Sequence, residues 1–199
     1  MEIIRDLATL EALYEAPVAN SIKKVVPALT PHYARWIGAA RFCVLATVGP
    51  EGVDASPRGD IGPVVRIQDA KTLLLPDWRG NNRIDSLRNI LRDGRASLMF
   101  MIPGAQNVVR VNGRALLSTE PALIAAFETE GKSPKCVIYF TIEEAYFQCA
   151  KAIMRSGLWG GQRPEGLPTA GDFLAEVDQA FDGAAYDANY PAYAKERMW

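Results

Sequence analysis

Residues 42–60, FCVLATVGPEGVDASPRGD, decide the fold. FCVLATV is a continuous, β-prone apolar run, GPEG has the composition of a turn, and VDASP resumes an extended course. The segment therefore predicts an antiparallel hairpin. Its second strand runs into DASPRGDIGP at 54–63, where two aspartates, an arginine, two glycines and two prolines replace the valines expected of a strand that fills a core.

Further strands follow in short runs with turns or helices between them. VVRIQ and TLLLP flank the turn-like QDAK and predict a second hairpin over 64–76. Three later runs have the same β-prone composition. They are RASLMFMIPG (95–104), NVVRVNGRALLS (107–118) and KCVIYFTI (135–142).

Helical patterns occupy the termini and the gaps between strand pairs. Leu7, Leu10, Leu13 and Tyr14 fall at helical spacing, and TPHYARWIGAA (30–40) starts with a threonine cap before a proline. The remaining helical segments share apolar residues at intervals of three or four. They are IDSLRNIL (84–91), EPALIAAFETEG (120–131), EEAYFQCAKAIMRSGLW (143–159, running into a loop) and DFLAEVDQAF (172–181).

The order of these elements predicts an α+β protein that is mainly β. Strands do not alternate strictly with helices, so a doubly wound parallel sheet is disfavoured. An antiparallel barrel with peripheral helices fits better. No repeat or composition break divides the chain, and we expect one domain over 1–199 with helical N-terminal and C-terminal extensions.

Composition excludes several functional classes. A net charge of −1 gives no basic field for nucleic acid or an anionic membrane, and no apolar run approaches the ~20 residues that span a bilayer. The acidic N-terminus lacks the pattern of a secretory signal, so we expect a cytoplasmic protein. Three dispersed cysteines and the single His32 argue against disulfides, a metal site or a Ser–His hydrolase.

The segment RGNNR, residues 79–83, precedes a predicted helix. Glycine and two asparagines supply flexibility, amide donors and a helix cap, and the helix start presents unpaired N–H groups. Arg79 and Arg83 bracket this point, and Ser86 adds a hydroxyl from the first turn. The arrangement suits a phosphate, although a capped surface helix with two solvated arginines would have the same sequence.

SPRGD, residues 56–60, ends the second strand of the first hairpin. Its RGD would be an adhesion signal only in a secreted, exposed loop, which nothing else in the sequence indicates. Because residues two apart share a strand face, Arg58 and Asp60 could form a salt bridge with each other. Alternatively, Arg58 lies beside the phosphate or the ring system of a ligand.

KAIMRSGLW, residues 151–159, places Lys151 and Arg155 four residues apart on one helical face, with Trp159 following on a loop. Two cations with a nearby aromatic ring can close over a planar anion. An exposed basic edge is the alternative.

Taken in order, FCVLATVGPEGVDASPRGD, LLLPDWRGNNRIDSLRNIL, RVNGRA and CAKAIMRSGLW resemble the pyridoxamine 5′-phosphate oxidase-like flavoproteins, the FMN-binding split barrels. Within them the chain is most similar to a subgroup described only as FMN-dependent enzymes. The resemblance spans roughly residues 30 to 160. It implies an FMN-binding split β-barrel that forms a homodimer with FMN at the subunit interface.

The resemblance also implies the cofactor-binding residues. The strand after the first turn would contact the flavin and its phosphate, and the loop and helix start after the next hairpin would hold the phosphate. A later strand and the C-terminal segment of the second subunit would complete the pocket. By position these are Ser56, Pro57, Arg58, Gly59 and Asp60; then Arg79, Asn81, Asn82, Arg83 and Ser86; then Arg110, Lys151, Arg155, Ser156 and Trp159.

The implied activity is hydride transfer between a small molecule and FMN, with no metal and with no side chain assigned as catalytic. A flavin-binding or flavin-sensing module without turnover, or a reductase that uses the deazaflavin F420, remains open. True pyridoxamine phosphate oxidases grip their substrate with arginine and histidine in the C-terminal segment. This chain has no histidine after His32, so the sequence does not support vitamin B6 phosphate as its substrate.

Overall fold

In the computed structural model, which describes residues 1–161 and 164–198, seven strands form one antiparallel sheet. The strand order is β2-β1-β5-β6-β7-β4-β3. The strands are β1 (Phe42–Gly49), β2 (Gly52–Gly59), β3 (Arg66–Asp69), β4 (Thr72–Asp77), β5 (Arg95–Met101), β6 (Val108–Ser118) and β7 (Cys136–Gln148). The predicted class, mainly β and antiparallel with helices around it, is confirmed.

The first hairpin forms as predicted and explains the polarity of its second strand. Arg58 pairs with Cys43 across the hairpin, and Ser56 pairs with Leu45. Directly opposed residues share a sheet face, so these two polar side chains lie on the face that carries the buried residues of β1. β2 is an edge strand, so Pro57, which has no backbone N–H to donate, does not interrupt the hydrogen bonds between two inner strands.

The apolar core lies on the inner face of the curved sheet. Large side chains from five strands are almost fully buried there, each contributing roughly 1.5–3 kcal/mol relative to exposure. They include Leu45, Leu73, Leu75, Leu98, Phe100, Val111, Ile138 and Phe140. Across the described ranges the sheet stays open between β2 and β3, although Arg58 of β2 reaches Asp77 of β4.

Eight helices are found within the described residues. They are α1 (Leu7–Glu11), α2 (Ala19–Lys23), α3 (Pro31–Ala39), α4 (Asp85–Arg92), α5 (Pro121–Ala125), α6 (Lys151–Ser156), α7 (Ala170–Val177) and α8 (Gly183–Arg197). Thr30 caps α3 and Pro31 follows it, as predicted. None of these helices is long and apolar enough to cross a membrane.

Helix α4 packs over the β1–β2 hairpin and thereby fixes the start of the helix beside β2. Asn89 donates its side-chain amide to the Thr47 hydroxyl at 3.3 Å, and both residues are buried. Gly49 lies directly under Asn89, where a Cβ would collide with the Asn89 side chain.

The helix predicted over 143–159 is wrong in its first half. Residues up to Gln148 belong to β7, and helix is confined to α6. The long strand β6 provides a partner for this segment, and a bulge at Asn112/Gly113 lets the pairing continue to Val108↔Gln148. Tertiary hydrogen bonding therefore overrides the local helical pattern.

Both termini differ from the sequence expectation in detail. α1 is only five residues long, and its predicted apolar face, including Leu7 and Leu10, is exposed. Helix α7, which corresponds to the helix predicted over 172–181, begins at a Thr169/Asp172 capping box. The sequence predicted no element for the tail that follows, but this tail forms α8. α7 and α8 cross at Gly171 and Gly183, where a Cβ on either glycine would collide with the backbone of the other.

Candidate functional site

A cleft of about 740 Å³ lies between β2, the end of β4 and the loop that leads into α4. This volume is within the range of small-molecule sites. The cleft brings together SPRGD (56–60) and RGNNR (79–83), two polar segments that are separated along the chain. Its described lining is 54–60, Val64, 75–87, Lys135, Cys136 and Met198.

Alternation along β2 aims its polar side chains at this cleft. Asp54, Ser56 and Arg58 are half-buried, whereas Ala55 and Pro57 between them are exposed. The period of two therefore lines one wall with a carboxylate, a hydroxyl and a guanidinium. Ser56, Pro57, Arg58, Gly59 and Asp60 all line the cleft, and their predicted contact with a cofactor stays a prediction.

Arg58 is held by Asp77 rather than by Asp60. Arg58 Nη1 donates to Asp77 Oδ1 at 2.6 Å, and the two side chains are only 19% and 13% exposed. The suggested Arg58–Asp60 salt bridge is therefore wrong, because the curvature of the sheet brings the end of β4 closer. Arg58 Nε is buried and has no hydrogen-bond partner among the described atoms, which is costly unless a ligand accepts from it.

Asp60 instead positions Trp78. Its Oδ2 accepts from Trp78 Nε1 at 3.3 Å, and its Oδ1 accepts from the Gly62 backbone N–H at 3.2 Å. The carboxylate thus fixes both the indole and the turn that follows β2. Trp78 was not predicted, although it directly precedes the RGNNR segment.

The RGNNR loop is shaped by its asparagines. Asn81 Oδ1 accepts from the Arg83 backbone N–H at 3.0 Å, Asn82 has a left-handed backbone, and Lys135 Nζ donates to Asn82 Oδ1 at 2.8 Å. The predicted asparagine cap is wrong. Ile84, also left-handed, occupies the cap position of α4, and within the described residues no side chain caps this helix start.

Ser86 closes the wall between α4 and β2. It is buried and donates its hydroxyl to Asp54 Oδ2. Ser86 lines the cleft, but its proton is engaged by Asp54, and any contact with a ligand stays a prediction.

Some of the charged side chains that line the cleft form ion pairs and others do not. Asp77 is bound to Arg58 and Asp85 to Arg83, whose Nε lies 2.9 Å from Asp85 Oδ2. Within 1–161 and 164–198, neither Arg79 nor Lys135 contacts a carboxylate. The loop end of the cleft therefore carries two cations without counter-charges, an arrangement that favours an anion.

The two thiols near this wall are poor nucleophiles. Burial raises the pKa of the Cys43 thiol to about 12, only partly offset by Arg58. Burial and, to a lesser degree, the Asp77 carboxylate also raise the pKa of Cys136, which lines the cleft. Since the thiolate is the reactive form, neither cysteine is suited to covalent catalysis.

The third predicted cluster does not reach the cleft of its own chain. Lys151 and Arg155 are exposed on α6, Ser156 donates to the Ile153 carbonyl, and Trp159 Nε1 donates to the Ala105 carbonyl at 2.7 Å. Arg110 lies over the Tyr146 ring at 5.6 Å. None of these five is among the described residues that line the cleft.

The sequence analysis did not assign several lining residues to the site, among them Asp54, Asp77, Trp78, Lys135 and Cys136. Asp54 could have been found, since it shares the period of Ser56 and Arg58. Asp77 and Trp78 immediately precede the RGNNR segment. Lys135 and Cys136 reach the cleft through the pairing of β7 with β4, in which Cys136 opposes Asp77, and no local pattern reveals that pairing.

In the described part of the chain, no group of three His, Cys, Asp or Glu side chains is arranged to hold a metal ion.

Comparison with known families places this cleft in context. Residues 29–149, more than half of the chain, match the family model described as Pyridoxamine 5'-phosphate oxidase. The chain belongs to the pyridoxamine 5'-phosphate oxidase family. The range that matches this oxidase family contains β2, the RGNNR loop and Lys135, whereas α6 lies outside it.

Solved structures share only a distant likeness with this family member. HupZ from Group A Streptococcus is 23% identical over 59% of this chain and 91% of its own, with a TM-score of 0.48. A protein of the pyridoxinephosphate oxidase family from Clostridium acetobutylicum, related to general stress protein 26, is 11% identical over 59% and 86%, with a TM-score of 0.46. An FMN-binding protein from Syntrophomonas wolfei is 16% identical over 57% and 78%, with a TM-score of 0.42.

No curated protein matches the chain.

Proposed function

We propose that this member of the pyridoxamine 5'-phosphate oxidase family is an FMN-dependent oxidoreductase that binds FMN in the cleft between β2 and α4. The observation that carries the proposal is the presence, in one cleft, of a buried donor without an acceptor and of two cations without a carboxylate partner. Arg58 Nε is buried without an acceptor, and Arg79 and Lys135 lack carboxylate partners within the described residues. A ligand with an anionic end and further acceptors would satisfy them.

The chemistry of the two ends fits FMN, which carries a phosphate dianion at one end and a flat ring system with carbonyl and nitrogen acceptors at the other. The loop end offers Arg79, Arg83, Lys135 and the uncapped N–H groups of α4 for the phosphate. The β2 end offers the half-buried Ser56 and Arg58 as donors to ring acceptors.

Different residues of the protein would have different roles toward the bound FMN. FMN when bound supplies the hydride acceptor and donor, so no side-chain nucleophile is required. Asp77 orients Arg58, and a guanidinium held close to the ring edge would stabilise added negative charge there. Asp60 holds Trp78 in place, and Leu75, Pro76 and Trp78 give the cleft an apolar side that limits water.

A second copy of the chain is proposed to complete the pocket. Arg110, Lys151, Arg155, Ser156 and Trp159 lie away from the cleft of their own chain, so they could serve FMN only across a homodimer interface. Exposed Met154 and Leu158 beside this cluster supply apolar surface for such a contact.

The phosphate assignment is tested by Arg83→Ala against the matched control Arg88→Ala. Both arginines contact Asp85, at 2.9 and 4.0 Å, but Arg88 is not among the lining residues described. Arg83→Ala should weaken FMN binding by roughly 1.5–3 kcal/mol, because a charge-assisted contact is lost. Arg88→Ala should leave the affinity unchanged.

The measurement is a fluorescence titration of apoprotein with FMN and with riboflavin, which lacks the phosphate. Arg83→Ala should reduce FMN affinity and leave riboflavin affinity unchanged. An equal loss of FMN affinity in both variants, or no loss in either, would contradict the assignment of the FMN phosphate to this loop. Turnover is tested separately: anaerobic NADPH or pyridoxamine should bleach the flavin, and a flavin that no donor reduces would favour a binding module.

A further inference from the structure

Asp54 is a carboxylate in a cleft whose loop end suits an anion, and the binding of the phosphate and of the flavin ring gives it no role. It lies on β2, is half-buried and lines the cleft. Ser86, in the first turn of α4, is only 3% exposed and donates its hydroxyl to Asp54 Oδ2. The pair therefore joins β2 to the start of α4, next to the proposed phosphate site.

The other carboxylates that line the cleft are neutralised or fully engaged. Asp77 and Asp85 each contact an arginine, and both oxygens of Asp60 accept hydrogen bonds from N–H groups. Asp54 differs from all three. In the described part of the chain it forms no ion pair, and its Oδ1 accepts no hydrogen bond. A half-buried acceptor that is left open in this way favours a ligand that donates to it.

Ser86 cannot donate to a ligand while its proton is held by Asp54. A serine hydroxyl has one proton and two lone pairs, and an ionised carboxylate only accepts. The Asp54–Ser86 pair consequently presents acceptors alone, whereas Arg79 and Lys135 at the loop end present donors. A phosphate oxygen, itself an acceptor, suits the loop end and does not suit the pair.

A group that carries a proton is needed between Asp54 and a nearby phosphate, because like charges a few ångströms apart repel strongly in a cleft. A hydroxyl on the carbons beside the phosphate would donate to Asp54 Oδ1 and meet this need. A neutral hydroxyl also matches the site better than an ammonium group. Arg58 lies two residues away on the same face of β2, and Arg79 and Lys135 line the same cleft.

We propose that Asp54 makes the cleft specific for a phosphate ester that carries hydroxyl groups beside its phosphate, with Ser86 as the residue that positions the carboxylate. This rests on the proposed function and deepens it, since in FMN the hydroxyls of the ribityl chain would donate to Asp54. It gives Ser86 a positioning role in place of a direct phosphate contact.

The test titrates ribitol 5-phosphate and inorganic phosphate into the full-length protein by calorimetry. Asp54→Ala should weaken ribitol 5-phosphate binding about tenfold, because a charge-assisted hydrogen bond is lost. The same variant should bind inorganic phosphate as well as wild type or better, because a like charge is removed. Glu51→Ala is the matched control: Glu51 lies in the same hairpin, has a 72% exposed side chain and is outside the described lining. It should change neither affinity.

Ser86→Ala tests the positioning role. It should weaken ribitol 5-phosphate binding and leave inorganic phosphate binding unchanged, because only the carboxylate loses its support. A loss for both probes would mean that Ser86 contacts the phosphate itself and would overturn this role. Thermal melts of each variant check that a loss of binding is not a loss of fold.

Riboflavin and lumiflavin extend the test to flavins, since they share the ring system and only riboflavin carries the hydroxylated chain. Asp54→Ala should weaken riboflavin binding about tenfold and leave lumiflavin binding unchanged. Ribitol 5-phosphate affinity that rises together with phosphate affinity would show that Asp54 merely repels anions, and would overturn the proposal. Tighter binding of O-phosphoethanolamine than of ribitol 5-phosphate would overturn it in favour of an amine.

The failure of this proposal differs from the failure of the proposed function. Binding of ribitol 5-phosphate that depends on Asp54, in a protein that takes up no flavin, would support the role of Asp54 and refute FMN. Equal flavin uptake by wild type and Asp54→Ala would support FMN and refute the role of Asp54. No binding of either ribitol 5-phosphate or riboflavin at millimolar concentration would overturn both.

Discussion

At the scale of residues, the polar strand β2 is explained by which face its side chains share. Asp54, Ser56 and Arg58 lie on the face of the buried β1 residues, but at the edge of the sheet, where the interior opens into the cleft. The sequence could predict this face, because its period is two. It could not predict that Asp77 holds Arg58, since that contact depends on how far the whole sheet curls.

Arg58→Ala should lower both stability and FMN affinity. Asp77 would keep a mostly buried carboxylate without its partner, which costs about 1–3 kcal/mol of unfolding free energy. The double variant Arg58→Met/Asp77→Leu removes both charges, so its urea midpoint should recover toward wild type while FMN affinity stays low. If FMN affinity recovered together with stability, Arg58 would have no direct role toward the ligand.

The rate at which Cys136 is alkylated should report whether a ligand occupies the cleft. This cysteine lines the cleft, whereas Cys149 is exposed and is not among the lining residues described. Because burial raises the pKa of Cys136, its alkylation by iodoacetamide should accelerate as pH rises from 7 to 9. FMN should slow this reaction at Cys136 more strongly than the alkylation of Cys149.

Peptide mass spectrometry follows each site. Cys43, with its pKa raised to about 12, serves as the internal marker of unfolding and should stay unmodified in native protein. Equal labelling of Cys136 with and without FMN would place the flavin elsewhere.

At the scale of elements, hairpins and the α4 helix could be predicted because their signals are local. The β7 strand could not be, because Glu143, Glu144 and Ala145 read as helical until β6 is present to pair with them. The prediction of an asparagine cap at the start of α4 was wrong for a similar reason. Asn81 and Asn82 have capping chemistry, but they are engaged with the Arg83 backbone N–H and Lys135.

Gly113 is the glycine on which the β6–β7 pairing depends most. A Cβ there would collide with the Thr141 carbonyl of the neighbouring strand, and a backbone neighbour cannot move aside as a side chain could. Gly113→Ala should therefore cost about 1–3 kcal/mol or more in a urea melt.

Gly38→Ala is the control for this prediction. Gly38 lies on the exposed face of α3 with its nearest neighbour 4.0 Å away, so alanine should be neutral or slightly stabilising. A Gly113→Ala variant as stable as Gly38→Ala would contradict the observed close approach of the two strands.

At the scale of the whole molecule, the sheet stays open between its edge strands β2 and β3 in the described part of the chain, and the cleft is lined by residues of the edge strand β2. The antiparallel class could be predicted from short, hairpin-linked strands. The position of the α6 cluster outside the cleft of its own chain could not be predicted, because no local pattern reveals where that helix packs.

The central claim is that the cleft between β2 and α4 binds FMN, and the absorption spectrum tests it most directly. The protein is purified, incubated with excess FMN and passed over a desalting column. We expect the two visible and near-ultraviolet bands of oxidised FMN to co-elute with the wild-type protein and to be reduced in Arg83→Ala. A colourless protein that retains no FMN would contradict the account.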